Sequence, residues 1–284
     1  MRLQPFYCFG SLNLTNIINF SLSRLTTYIF SVLLILICCN SAHGTHLIGG
    51  NLGYEYLGQV GNNYQYKILY TIYVDCGPTS NAPNPFSTEE VGVYTHDIQN
   101  SPMAGGDKTR IQLITVNLIS TTLIEPDLPS GCTVGQSTCI REGKYEGIFS
   151  VPLNFTGYHL YAEICCRNGA IDNLQNPVTQ GTGFHAYIPP PLIPNSSPVF
   201  TDLPVPFLCA GDTTSILNSA YDPDGDLMVF SFVEPFRGFG TQGFYPPPPN
   251  NLTWTLDPVV YAPPYSFLQP FGLSLIHISE PTRP

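Results

Sequence analysis

From Tyr66 to Cys76 every second residue is apolar. Tyr66, Ile68, Tyr70, Ile72, Val74 and Cys76 share one face of an extended chain, and Lys67, Leu69, Thr71, Tyr73 and Asp75 share the other. A period of two with one largely apolar face predicts a strand that covers a core. Gln59-Val60-Gly61-Asn62-Asn63, where Gly and Asn tolerate a positive φ, then joins strands 47–57 and 64–76 into a hairpin. Further strands are predicted at 91–95 and 110–124, with Pro-, Asn- and Ser-rich loops at 77–89 and 125–140. Residues 145–153 and 157–166 form another expected strand pair. In the latter, Tyr158, Leu160, Ala162, Ile164 and Cys166 face inward, while His159, Tyr161, Glu163 and Cys165 face away. No long segment has a helical period.

Tyr187-Ile188-Pro189-Pro190-Pro191-Leu192-Ile193-Pro194 is expected to be a stiff extended linker. Strands are predicted again at 198–208, 227–233 and 252–256. The expected fold class is therefore all-β: an antiparallel β-sandwich-like domain over residues 45–190, followed by a partial Ig- or cadherin-like β-domain over 191–272.

The first 44 residues change this picture by placing the chain outside the cell. Arg2 and Arg24 are the only charges before the apolar run Tyr28–Cys39, which Ser41-Ala42-His43-Gly44 follows with small residues where a signal peptidase reads. That order is the secretory pattern, so residues 1–44 are expected to be a signal peptide, the mature chain starting at Thr45. The apolar run falls short of the ~20 residues a membrane span needs. Membrane contact is expected only through this export signal. Residues 273–284 resemble the translation of a transposon-end adapter from sequencing libraries. They are set aside, and the natural chain is expected to continue past Gly272.

Composition narrows the function classes. The chain carries 20 Asp and Glu against 10 Lys and Arg, a net charge of −10. A nucleic-acid binder needs a basic face to release counterions, so nucleic acid is not an expected partner. Outside the leader the cysteines are Cys76, Cys132, Cys139, Cys165, Cys166 and Cys209. An even number in an exported chain implies disulfides. Neighbours in a strand point to opposite sides, so Cys165 and Cys166 are not expected to bond to each other. The expected pairs are Cys76 with Cys166 through the core, Cys132 with Cys139 locally, and Cys165 with Cys209.

Asp222-Pro223-Asp224-Gly225-Asp226 is where hard oxygen ligands concentrate, at the entrance to the expected strand 227–233. Asp222, Asp224 and Asp226 are the candidate ligands for a Ca²⁺, which takes six to eight oxygens. Counted from Asp222, Gly225 falls at position four and Val233 at twelve, so the segment is not an EF-hand. No catalytic residue is expected. G-x-S-x-G and H-E-x-x-H are absent, and His46, His96, His159 and His185 are scattered. A paired-acid glycosidase needs no fixed spacing, and Glu125, Glu142, Glu146 and Glu163 are its candidate acids. Tyr54, Tyr56, Tyr73 and Tyr161, if exposed, would suit a sugar platform.

Taken in order, several fragments resemble the N-terminal part of large secreted surface proteins of Bacteroidetes-type bacteria, many of which end in a gliding-motility-associated C-terminal sorting domain. They are Thr45-His46-Leu47-Ile48-Gly49-Gly50, Val74-Asp75-Cys76, Cys165-Cys166-Arg167-Asn168, Ser196-Ser197-Pro198-Val199-Phe200, Cys209 and Ala220–Asp226. The resemblance implies export across both membranes by type IX secretion, tandem β-modules, and a role in adhesion or at the cell surface. Asp222–Asp226 also resembles the acidic strand-entry motif of cadherin-like modules, where the carboxylates bind Ca²⁺. The expected function is a secreted or outer-surface structural or adhesion protein without enzymatic activity, binding an extracellular polymer or protein. The alternative is an exported carbohydrate-binding or carbohydrate-cleaving protein.

Overall fold

The structure, a computed structural model, describes residues 47–77, 85–96, 108–124, 139–165, 167–169, 171–202, 219–238 and 258–270. All of them fall in one compact unit, residues 44–284. Seven strands dominate it: β1 (Leu47–Val60), β2 (Asn63–Asp75), β3 (Thr88–His96), β4 (Lys108–Ile124), β5 (Ile140–Pro152), β6 (Tyr158–Ile164) and β7 (Thr182–Ile188). They form one antiparallel sheet in the order β1-β2-β5-β4-β3-β6-β7. The outer strands β1 and β7 come back into contact, so the sheet curls into a nearly closed barrel. The all-β antiparallel class is what the alternating pattern predicts. No helix among the described residues is long and apolar enough to cross a membrane.

The hairpin β1–β2 forms as expected. Gly61 supplies the positive φ of its turn, at 62°. Tyr66, Ile68, Tyr70, Ile72 and Val74 all enter the core. There they meet Val91 and Val93 of β3, Val116 of β4, Tyr145, Phe149 and Val151 of β5, and Tyr158 and Leu160 of β6. Removing a side chain such as Ile68 from water is worth about 1.5–3 kcal/mol. The large interior rings pack edge-on or stacked, as with Tyr54 on Tyr66 and Tyr66 on Phe149.

Three expectations need correction. First, β5 and β6 follow each other in sequence but are not paired. β5 lies between β2 and β4, and β6 between β3 and β7. The link from Pro152 to Tyr158 crosses to another part of the sheet, fastened by the Tyr158 hydroxyl donating to the Pro152 carbonyl at 2.7 Å. Second, Cys76 bonds to Cys139, not to Cys166, and Cys139 is thereby unavailable to Cys132. Register decides this. β2 and β5 pair as far as Asp75 opposite Ile140, and the next residues out are the two cysteines. The Cys76 N–H donates to the Cys139 carbonyl at 2.9 Å, which leaves their Cα atoms 4.8 Å apart. Cys165 is also disulfide-bonded; its expected partner Cys209, with Cys132 and Cys166, lies outside the described residues.

Third, residues 227–233 are not a strand. Leu227, Val229 and Phe232 are 94%, 87% and 77% exposed. Alternation alone does not make a ladder, and the edges of β1 and β7 are occupied by other chain. The strand β7, within and before the expected linker, has the signal Phe184, Ala186, Ile188, which the following proline run obscures. After it, only β8 (Val199–Phe200) and β9 (Ala220–Tyr221) pair among the described residues. The expected strand 252–256 lies outside them. Contacts cross the expected boundary at 190/191, with Phe236 bridging Gly183 and Tyr261 bridging Leu174.

Candidate functional site

Asp222, Asp224 and Asp226 sit at the turn that follows β9. Asp222 Oδ1 accepts the N–H of Asp224 at 2.9 Å and of Asp226 at 3.3 Å, while the Gly225 N–H donates to the Asp222 carbonyl at 3.2 Å. Gly225 takes φ 82°, which a Cβ would resist. Asp224 turns the other way. Its Oδ2 accepts the backbone N–H of Ser196 at 2.5 Å.

Ser196 and Ser197 lie along the open edge of β1. The Tyr54 N–H donates to Ser197 Oγ at 2.8 Å, and the Ser197 N–H donates to the Tyr54 carbonyl at 2.8 Å. The Tyr56 N–H donates to Ser196 Oγ at 3.2 Å. An unpaired edge invites strand addition from other chains, and this serine pair covers it at Tyr54 and Tyr56. The acidic turn holds the serines, and the serines hold β1. Burial and, secondarily, the charges of Tyr66, Asp222 and Asp224 push the Tyr54 phenol well above its ordinary value.

Among the described residues no three His, Cys, Asp or Glu side chains form a group that could hold a metal ion. Asp222 and Asp224 each turn one carboxylate oxygen toward backbone N–H groups.

A second polar cluster lies on the outer face of β6 and β7. His159 Nδ1 and His185 Nε2 are 2.8 Å apart, and their rings stack at 5.1 Å. Tyr187 lies 5.0 Å from His159, and Phe236 stands edge-on to His185 at 5.9 Å. Beside them the Tyr161 hydroxyl donates to Glu163 Oε2 at 3.1 Å. The sequence places His159, Tyr161 and Glu163 on the face away from the core, which is correct, but all three are buried there. Chain around Phe236 covers that side of the sheet, so β6 is enclosed on both faces.

Two interior-turned polar residues fasten this cover. Gln180 Nε2 donates to the carbonyls of Gln175 at 2.5 Å and Val260 at 3.1 Å, and its Oε1 accepts the Val260 N–H at 2.9 Å. Arg167 donates through Nε to the Gly181 carbonyl at 3.0 Å and through Nη2 to the Phe236 carbonyl at 3.3 Å. Burial lowers the pKa of this guanidinium. Neither residue stands in a pattern that sequence alone marks as a fastener.

The candidate acids of a glycosidase are not brought together. Glu142 and Glu146 lie on β5 and Glu163 on β6, with β4 and β3 between those strands. Glu125 lies outside the described residues. Glu142 is buried, bonded by the Tyr73 hydroxyl at 3.4 Å and by Lys144 at 3.3 Å. Of the four tyrosines expected as a sugar platform, Tyr54 and Tyr161 are buried at 4% and 1% exposure. Tyr56 and Tyr73 are half-buried. The comparisons with protein-family models, curated proteins and solved structures find no match for this chain.

Proposed function

We propose that this chain is a non-enzymatic structural or adhesion protein, secreted or held at the outer cell surface, built on a nearly closed β-barrel scaffold that carries a disulfide. The observation that carries the reading is the clasp from Asp224 through Ser196 and Ser197 to β1. Asp224, one of the side chains that looked most like chemistry, takes part in closing the fold. A covered edge lets a β-rich surface module stand beside others without unwanted strand pairing. The disulfide Cys76–Cys139 suits an oxidising compartment. The ordered resemblance to Bacteroidetes-type surface proteins points the same way and adds type IX export and an extracellular polymer or protein as partner.

The test has two arms. Protease treatment of intact cells of the source organism should remove the protein, placing it outside. The purified full chain, applied to a glycan array with hydrolysis assayed alongside, should release no sugar. Turnover that disappears on replacing Glu142 or Glu163 would overturn the reading in favour of carbohydrate cleavage.

A further inference from the structure

Glu89 is the second residue of β3 and lies opposite Val116 of β4. Residues opposite each other in an antiparallel pair share a face. Val116, with Val91 and Val93 further along β3, belongs to the core. The Glu89 carboxyl is therefore turned inward with them, at 6% exposure. Two phenols belong to the same interior. Tyr70 of β2 and Tyr145 of β5 are opposite each other in register, their rings 5.9 Å apart, and the charge of Glu89 bears on both. The Tyr145 hydroxyl donates to the Phe86 carbonyl at 2.9 Å. The Tyr70 hydroxyl is buried with no hydrogen-bond partner.

Glu89 itself has no hydrogen bond or ion pair with any described residue. β4 presents Val116 to it, β2 Tyr70 and β5 Tyr145. Among the described residues the one charge that bears on it is its neighbour Glu90, of like sign. A carboxyl in such a place favours the neutral acid, and the charged form gains by reaching water.

The strap of residues 85–87 leads into β3 and is fastened to β4 and β5. The Phe86 carbonyl takes the Tyr145 hydroxyl, and the Ser87 carbonyl accepts the Leu118 N–H at 2.9 Å. Pro85 lies over Gly143, where a Cβ would come within 2.8 Å of the proline ring. We propose that Glu89 is an internal proton switch for this strap. Protonated, it stays beside Tyr70 and Tyr145 with the strap closed; ionised, it draws the start of β3 away from β4 to reach water. The proposal depends on neither export nor adhesion.

Burial, with a smaller push from Glu90, raises the Glu89 carboxyl to about 7. In an open, hydrated strap it returns to the usual carboxylate range. The closed state therefore holds a proton that the open state releases. Opening grows about tenfold per pH unit from the usual carboxylate range up to neutrality, then levels off once both states are ionised.

Hydrogen exchange on the full chain reads this at the Leu118 amide, which loses the Ser87 carbonyl on opening, relative to the Ile68 amide in the core. After correction for intrinsic exchange, Leu118 protection should fall about 40-fold between pH 5 and pH 7 and only about twofold more above that. Glu89→Gln should flatten the profile. Glu90→Gln should keep it and move its end to lower pH, because a like charge is removed. Carbon-13 NMR of the Glu89 carboxyl in the unaltered protein, which needs no variant to fold, should show titration near neutrality. A flat Leu118 profile, a profile that survives Glu89→Gln, or a Glu89 carboxyl titrating in the usual carboxylate range would each overturn the proposal.

Discussion

The backbone N–H of Ser196 donates to Asp224 Oδ2 at 2.5 Å, joining the acidic turn to the segment that closes the edge of β1. The bond gives Asp224 a place in the fold's own hydrogen bonding. Asp224→Ala should destabilise the full chain by about 1 kcal/mol, because the carboxylate is exposed and the bond competes with water. Ser197→Ala should cost about 1–2 kcal/mol, since it leaves the Tyr54 N–H without its acceptor. The two act along one chain of contacts, so the double variant should lose less than the sum. Urea unfolding of the four proteins measures this; strict additivity would show that the clasp does not work as a unit.

How much of this was legible beforehand follows from what local pattern encodes. Alternation marks which face of a strand is buried, and Tyr66, Ile68, Tyr70 and Ile72 are inside as that rule requires. Alternation says nothing about which strand lies beside which. The Cys76–Cys139 bond follows from the register of β2 against β5, and that register is a property of the whole sheet. The pair His159 and His185 depends likewise on β6 lying beside β7, where His159 faces Tyr187 and His185 faces Tyr161. Asp224 stood out because acids cluster in sequence. Its partner is a backbone N–H 28 residues away, which no side-chain motif can reveal.

The same geometry bears on calcium. Asp222 Oδ1 accepts two backbone N–H groups and Asp224 Oδ2 a third, so the clasp holds without an ion. Millimolar Ca²⁺ should therefore leave the melting temperature of the full chain unchanged to within about 1 °C, since only a ligand that prefers the folded state raises it. A rise that Asp224→Ala removes would restore the three aspartates as ligands.

The Cys76–Cys139 bond closes a loop with a sequence separation of 63. Loop-closure entropy on that scale gives about 4 kcal/mol of stabilisation. Replacing both cysteines with alanine should lower the urea midpoint and steepen the slope, because the unfolded chain is no longer held compact. Peptide mapping without reduction should recover the two cysteines in one linked pair of peptides. Recovery of Cys76 joined to Cys166 would reinstate a bridge through the core.

Gln180 offers the sharpest test of how the cover over β6 and β7 is held. Its amide makes three hydrogen bonds, two to Val260 and one to Gln175, at 3% exposure. Gln180→Leu keeps much of the volume but leaves the Val260 N–H unsatisfied, at a cost of about 1–3 kcal/mol. That cost falls on the cover and not on the barrel, because β1 to β5 make no use of the amide. Limited proteolysis should therefore cut near Val260 sooner in the variant, while hydrogen exchange at Ile68 and Val151 stays as it was. Equal loosening of both regions would mean that cover and barrel unfold together, and that Gln180 supports the whole fold.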